Sequence, residues 1–234
     1  MNPFLGPILF FEALLLLFTS SSLIKKALLP GLVSFLATIS TFYFVNKYSQ
    51  FLISWSPYLS ELNKAFSLFD NLLGIILSLL LAIFIVMVVA LPLCEPLAAE
   101  VDRRKGGEEV EVGLIQGILG GLSLSIKLLV IGLSMSLLLT FLSFIPLIGL
   151  LPGLFNLLVW TPLILSLDIT DFLFSRRNLN LTQRFKLLTR SMVSTASVGL
   201  VTMPLLGTPF INLIGAPVAV IIGTLYARKL TENT

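Results

Sequence analysis

Residues 128–167 read LLVIGLSMSLLLTFLSFIPLIGLLPGLFNLLVWTPLILSL, an apolar run without a single charge. A helix crosses the hydrocarbon core of a bilayer in about 20 residues, so the run holds two such helices. Its break, Ile145-Pro146-Leu147-Ile148-Gly149 followed by Pro152, is as apolar as its flanks. A turn that reaches water normally carries polar or charged residues. The run therefore reads either as a hairpin whose tip stays at membrane depth or as two ordinary spans with a very short turn. Irregular backbone is tolerated at that depth only where it is packed in protein or lines a wet cavity. Ser191–Ala227 repeats the pattern, uncharged and broken at Pro204 and at Thr208-Pro209-Phe210-Ile211-Asn212.

Composition points the same way. The 234 residues are 56% hydrophobic and 12% charged, with 18 Phe, where soluble chains are about a quarter charged. The expected fold is all-α and membrane-integral, a single membrane domain over 1–234. Two long transmembrane helices, about 23–46 and 71–94, precede two Pro-broken helical hairpins, about 126–167 and 191–228. The pattern of the second span continues through Glu95-Pro96 to Lys105, where Gly106-Gly107 stops it. Short interfacial helices complete the picture: Ser56 and Pro57 suit a helix start, and Leu59, Leu62, Phe66 and Phe69 share one face. That segment, with Trp55 and Tyr58 as interfacial residues, lies in the headgroup region or docks on the protein's own surface. Gly113 and Gly117 are spaced for close helix approach, within the chain or between copies.

Lys and Arg total 15 against 12 Asp and Glu, a mild excess that suits a membrane surface and not nucleic acid. The chain has no His, which excludes imidazole metal sites and His-based triads, and its one Cys, Cys94, reads as a small packing residue. No metal, cofactor or enzymatic activity is expected. Residues 1–24 carry no Lys or Arg and do not read as a cleaved signal. Lys25-Lys26, Arg103-Arg104-Lys105, the basic residues Arg176 to Arg190, and Arg228-Lys229 fall on one face if both hairpins return. By the positive-inside rule that face is cytoplasmic.

Four ordered stretches resemble the CysZ-type sulfate permeases of the etoposide-induced-protein family. They are Leu23-Ile24-Lys25-Lys26 to Pro30, Pro92-Leu93-Cys94-Glu95-Pro96-Leu97-Ala98 to Asp102, Phe144 to Gly149 followed by Asp171, and Pro209-Phe210-Ile211-Asn212 followed by Pro217-Val218-Ala219-Val220. Order and spacing hold over about residues 20–229. The resemblance implies hairpins that only partly penetrate the bilayer, and an anion held at a Gly-Leu-Arg turn before the first long span. Here the matching positions are Ser22-Leu23-Ile24, and the nearest cation is Lys25. Lys meets an oxyanion as a point charge, where Arg binds it bidentately.

The expected anion-binding residues are therefore Ser22, Leu23, Lys25 and Lys26, whose bland reading is an N-cap with two interfacial lysines. Early-helix N–H groups favour anions by about 0.3–1 kcal/mol. Pro146, Gly149, Pro209 and Asn212 form the tips that would aim half-helix N-termini at a pathway, although Asn212 could equally close its own turn. Glu95 and Asp171 pair with nearby Arg residues or couple transport to protons. The implied function is a multi-pass permease or channel of the bacterial inner membrane, a homo-oligomer in the lipid bilayer. It would admit sulfate or a related small oxyanion to the cytoplasm for sulfur assimilation. A non-transporting membrane scaffold of the same family is the alternative.

Overall fold

The computed structural model describes residues 2–54, 78, 80–107, 114–143, 149–208 and 210–232, and these residues contain helices and turns but no strand. The interfacial segment around Trp55–Phe69, Gly113, and the tip residues Pro146 and Pro209 lie outside them. The fold is an all-α membrane architecture. Ser21–Val45, Leu150–Arg176 and Asn212–Glu232 are each long and apolar enough to cross a membrane, and the bent pair Leu80–Val89 and Leu91–Arg104 together make a fourth. The chain is a multi-pass membrane protein. Large apolar side chains such as Leu28, Leu32, Phe141 and Leu150 stand exposed on the outside of the bundle, as lipid contact requires.

Helix α1, Leu5–Phe18, is absent from the expected layout. It buries Gly6, Leu9, Ala13 and Leu17 and exposes Ile8, Phe11, Leu15 and Phe18. Both stripes are apolar, so no amphipathic pattern marks it. At 14 residues it measures about 21 Å, short of a hydrocarbon core of about 30 Å. Helix α2 runs Ser21–Ser54, 34 residues with Pro30 inside, and so extends well beyond the expected end at 46.

The second span departs from the straight helix its pattern suggests. Helix α3, Leu80–Val89, stops at Ala90; a 3-10 turn, Leu91–Cys94, follows. Helix α4, Glu95–Arg104, then leaves at 49°. Pro92 and Pro96 each lack the N–H that would continue the ladder, and a proline ring clashes with the preceding turn. The stop is where the sequence puts it, with Gly106 at φ 81.

The first hairpin comprises α5, Leu114–Leu142, and a return through α6, Leu150–Phe155, a π turn at Asn156–Trp160, and α7, Thr161–Arg176. Both arms are longer than the expected 126–167. Pro162 has no N–H to give the preceding turn, and the widened π turn absorbs that gap. An amphipathic helix that the charge pattern alone did not reveal, α8 at Leu181–Arg190, leads to the second hairpin. This consists of α9, Met192–Gly207, and α10, Asn212–Glu232.

Helices α7 and α10 form the centre, with Thr161–Phe174 and Gly215–Ala227 buried throughout. Their neighbours approach to backbone contact. A Cβ on Gly199 would lie 2.1 Å from the Pro162 carbonyl oxygen, one on Gly223 2.1 Å from that of Ile169, and one on Gly215 2.0 Å from that of Leu205. Small residues permit this packing where no hydrophobic force separates protein from lipid.

These contacts also set depth. The Ser166 hydroxyl donates to the Thr195 carbonyl at 2.9 Å, which with Pro162 against Gly199 makes α7 and α9 antiparallel. Continued at 1.5 Å per residue, Gly207 falls opposite roughly Leu154. Gly149 and Gly207 thus lie within about two turns of each other in depth. Asn212 meets α2 at Ser34 and Thr38, about 20 Å from the start of α2 and about 30 Å from its end. The return helix of the second hairpin thus starts near the middle of the long helix.

Candidate functional site

The head of α2 is built around Ser20. Its hydroxyl accepts from the Leu23 N–H at 3.5 Å and its carbonyl from the Ile24 N–H at 3.1 Å, a helix N-cap in position if not in strength. Leu23 is fully buried and serves the core. Lys26 Nζ lies 3.0 Å from Glu100 Oε2, and the same carboxylate holds Arg103 Nη2 at 2.7 Å and Arg104 Nε at 3.0 Å. Lys26 is therefore committed to a structural cluster. Lys25 is exposed and makes no ion pair among the described residues. Of the four expected anion contacts, half-buried Ser22 and Lys25 are left with their polar groups at the surface of the helix head.

The tips are placed elsewhere. Asn212 is completely buried, and its side chain is bonded to α2. Its Oδ1 accepts from the Ser34 hydroxyl, and its Nδ2 donates to Thr38 Oγ1 and, at 3.3 Å, to the Ser34 carbonyl. The amide thus fastens the start of α10 to the middle of α2. Its backbone N–H closes the turn onto Thr208 at 2.9 Å. Gly31, one turn before Ser34, allows the crossing, since a Cβ there would come within 2.1 Å of the Leu213 carbonyl oxygen. Gly149 is buried ahead of α6. The Ser22–Lys25 turn and Asn212 are separated by about 18 Å along α2, so the helix head and the second tip are two places and not one.

The carboxylates lie in ion pairs at the basic end. Glu95 Oε1 accepts from Arg176 Nη2 at 2.6 Å and Nε at 3.2 Å, with both side chains about 10% exposed. Asp171 pairs with Arg184 and accepts from the Ser175 hydroxyl at 3.1 Å. Burial draws the Arg184 guanidinium below its ordinary value, a desolvation cost that the Asp171 charge offsets. Arg228 lies 3.6 Å from Asp102, and Lys105 reaches Glu12 of α1 at 2.8 Å. These links gather Lys26, Arg103, Arg104, Arg176 and Arg228 at one end of the bundle.

Two polar links escaped the sequence reading. Asn156 donates to the Ser136 carbonyl at 3.2 Å and to Thr140 Oγ1 at 3.4 Å, and accepts from Thr161 Oγ1 at 3.2 Å. Trp160 Nε1 donates to the Gly132 carbonyl at 3.2 Å. A lone Asn within an uncharged run was the available signal, since a buried amide needs partners.

No match is found among curated proteins. The family model for sulfate transporter CysZ/etoposide-induced protein 2.4 matches residues 9–217. The matched region runs from α1 into α10 and includes the capped helix head, the bent span, the first hairpin and the second as far as Pro217. The chain belongs to the sulfate transporter CysZ/etoposide-induced protein 2.4 family.

Proposed function

We propose that the chain is a homo-oligomeric permease or channel that passes sulfate, or a related small oxyanion, across the bacterial inner membrane into the cytoplasm. Membership of a family described as sulfate transporters carries this reading. The head of α2 supports it, because Lys25 is a cation without a carboxylate partner among the described residues. Ser22 adjoins it, as do the N–H groups of the helix start ahead of Leu23 and Ile24, whose own N–H groups Ser20 takes up. That is a donor set for an oxyanion, weaker than one built on Arg. The positive-inside rule assigns the basic end to the cytoplasm. A second hairpin whose return helix starts halfway along α2 leaves the outer half of α2, including exposed Ile39, Tyr43 and Phe44, to lipid or to a second copy. The reading calls on no catalytic group and no cofactor.

Sulfate efflux from liposomes containing the purified protein tests it. Lys25→Ala should lower the rate about five- to tenfold, equivalent to about 1–1.4 kcal/mol. Lys47→Ala, which removes a lysine 5.9 Å from the Tyr43 ring, should leave it near the wild-type rate. Equal effects would return the helix head to a capping role. Absence of flux for any oxyanion in the wild-type protein would favour a membrane scaffold.

A further inference from the structure

The connection between the hairpins forms a rigid basic cleft that the transport reading does not use. Helix α7 ends with Asn178 in the left-handed region at φ 53. The Leu179 N–H donates to the Phe174 carbonyl and the Asn178 N–H to that of Ser175, both at 3.0 Å, so the last turn is closed. Helix α8 starts two residues later with a capping box. The Asn180 side chain accepts from the Gln183 N–H and the Gln183 side chain from the Asn180 N–H, each at 2.9 Å. Arg184 then turns inward to Asp171 and donates to the Leu179 carbonyl at 2.7 Å. At the far end, the buried Leu188 gives its carbonyl to Thr195 Oγ1 at 2.8 Å, and that hydroxyl meets Tyr226 at 2.7 Å. Helix α8 is thus tied to α7 near its start, through Arg184, and to α9 near its end, through the Leu188 carbonyl.

Between α8 and the ends of α7 and α10 lies a cavity of about 450 Å³, lined by Arg177, Leu179, Gln183, Lys186, Leu187, Arg190 and Thr231. Its lining has three cations and no carboxylate. Lys186 and Arg190 are exposed and without an ion pair among the described residues, whereas Arg176, Arg184 and Arg228 are all paired with carboxylates. Arg177 is braced by Thr231 Oγ1. Leu179 and Leu187 provide apolar wall beside the charges. On the other edge of α8, Leu181 and Phe185 are exposed, a pattern that suits a helix at the boundary between headgroups and acyl chains. Cations at that depth meet lipid phosphates, and the cavity has the size of a small-molecule site.

We propose that this cleft binds a phosphate group, and that its source is the headgroup of an anionic phospholipid. Lys186, Arg190 and Arg177 contact the phosphate, with the glycerol and first chain carbons against Leu179 and Leu187. The apolar wall favours a lipid over the fully hydrated free ion. The inference is independent of what the protein transports.

The test is native mass spectrometry of the full-length protein with added phosphatidylglycerol or phosphatidylcholine, repeated for Lys186→Gln/Arg190→Gln. Lys47→Gln/Lys127→Gln, two exposed lysines outside the cleft and the helix head, controls for the loss of two charges elsewhere. The proposal expects phosphatidylglycerol to be retained over phosphatidylcholine, and about tenfold less retention in the cleft variant only. An unliganded melting temperature equal to wild type would confirm that the variant folds. Equal retention of both lipids, or no change in the cleft variant, would overturn the proposal. A third arm titrates inorganic phosphate. Displacement of bound phosphatidylglycerol supports phosphate recognition in the cleft. Phosphate binding that Lys186→Gln/Arg190→Gln abolishes, without selective lipid retention, would overturn the lipid source.

Discussion

The two hairpins carry similar apolar sequence, and each places one buried Asn near its turn, yet the two amides do opposite things. Asn156 bonds within its own hairpin, to Ser136, Thr140 and Thr161. Asn212 reaches outside its hairpin to Ser34 and Thr38 of the long helix. The surroundings differ in the same sense. Helix α10 is enclosed from Gly215 to Ala227, with carbonyl oxygens where side chains of larger residues would have to go. Helix α6 has no fully buried residue, and Leu150 and Leu151 are exposed. The second hairpin is welded to the helix that carries the candidate anion site, whereas the outer part of the first is stitched only to itself. An internal amide link stabilises a hairpin, but an external one fixes its depth.

Glycine substitutions should separate the two regions most strongly. Gly215→Ala sets a methyl group 2.0 Å from the Leu205 carbonyl oxygen, and backbone must move to admit it. A loss of about 1–3 kcal/mol is expected. Gly153→Ala meets first the Ser143 hydroxyl at 3.1 Å, a side chain that can rotate, and should change stability by no more than about 0.5 kcal/mol. Reversible unfolding in mixed detergent measures both. Similar losses would mean that the first hairpin is packed as tightly as the second.

The amides offer a smaller contrast. Interhelical hydrogen bonds in membranes average about 0.6 kcal/mol and reach about 1.7. With its three bonds to α2, Asn212→Ala should cost about 1–2 kcal/mol and lengthen the distance between spin labels on α2 and α10. Asn156→Ala, which breaks two longer bonds to α5 at 3.2 and 3.4 Å, should cost about 1 kcal/mol and leave that distance unchanged. A change of the same size in both variants would remove the distinction between internal and external links.

Much of this architecture was legible from charge-free length alone. Turns such as Thr208–Asn212, without a charge, marked the tips, and Gly106-Gly107 marked the end of the second span. Tertiary partners were not legible. Lys26 and Lys25 are alike in sequence, and only the bend at Ala90, which swings Glu100 beneath α2, makes one a salt-bridge partner and leaves the other exposed. The bend was missed because the helical pattern runs on through Glu95-Pro96 to Lys105, although Pro92 and Pro96 each interrupt the ladder. Helix α1 was missed because both of its faces are apolar. The link from Asn212 was hidden because Ser34 and Thr38 sit nearly 180 residues away in the chain and carry no signal of their own. The cleft beside α8 was visible only as a run of basic residues, since the Asp171 pair that separates Arg184 from Lys186 and Arg190 is a product of folding.

Tip depth is the feature on which the rest depends, and cysteine labelling reads it directly. In a Cys94→Ser background, where the hydroxyl can keep the contact that Sγ makes with the Ala90 carbonyl at 3.8 Å, single cysteines replace Ile211 at the second tip and Lys47 on the outer part of α2. Sealed vesicles are exposed to a membrane-impermeant thiol reagent on the side opposite the basic end. Lys47→Cys should label readily, because it stands about 16 Å beyond the tip along α2. Ile211→Cys should stay unlabelled, held in hydrocarbon or protein by the Asn212 link. Rapid labelling of Ile211→Cys from that side, at a rate matching Lys47→Cys, would show a hairpin that crosses the membrane completely and would contradict the account.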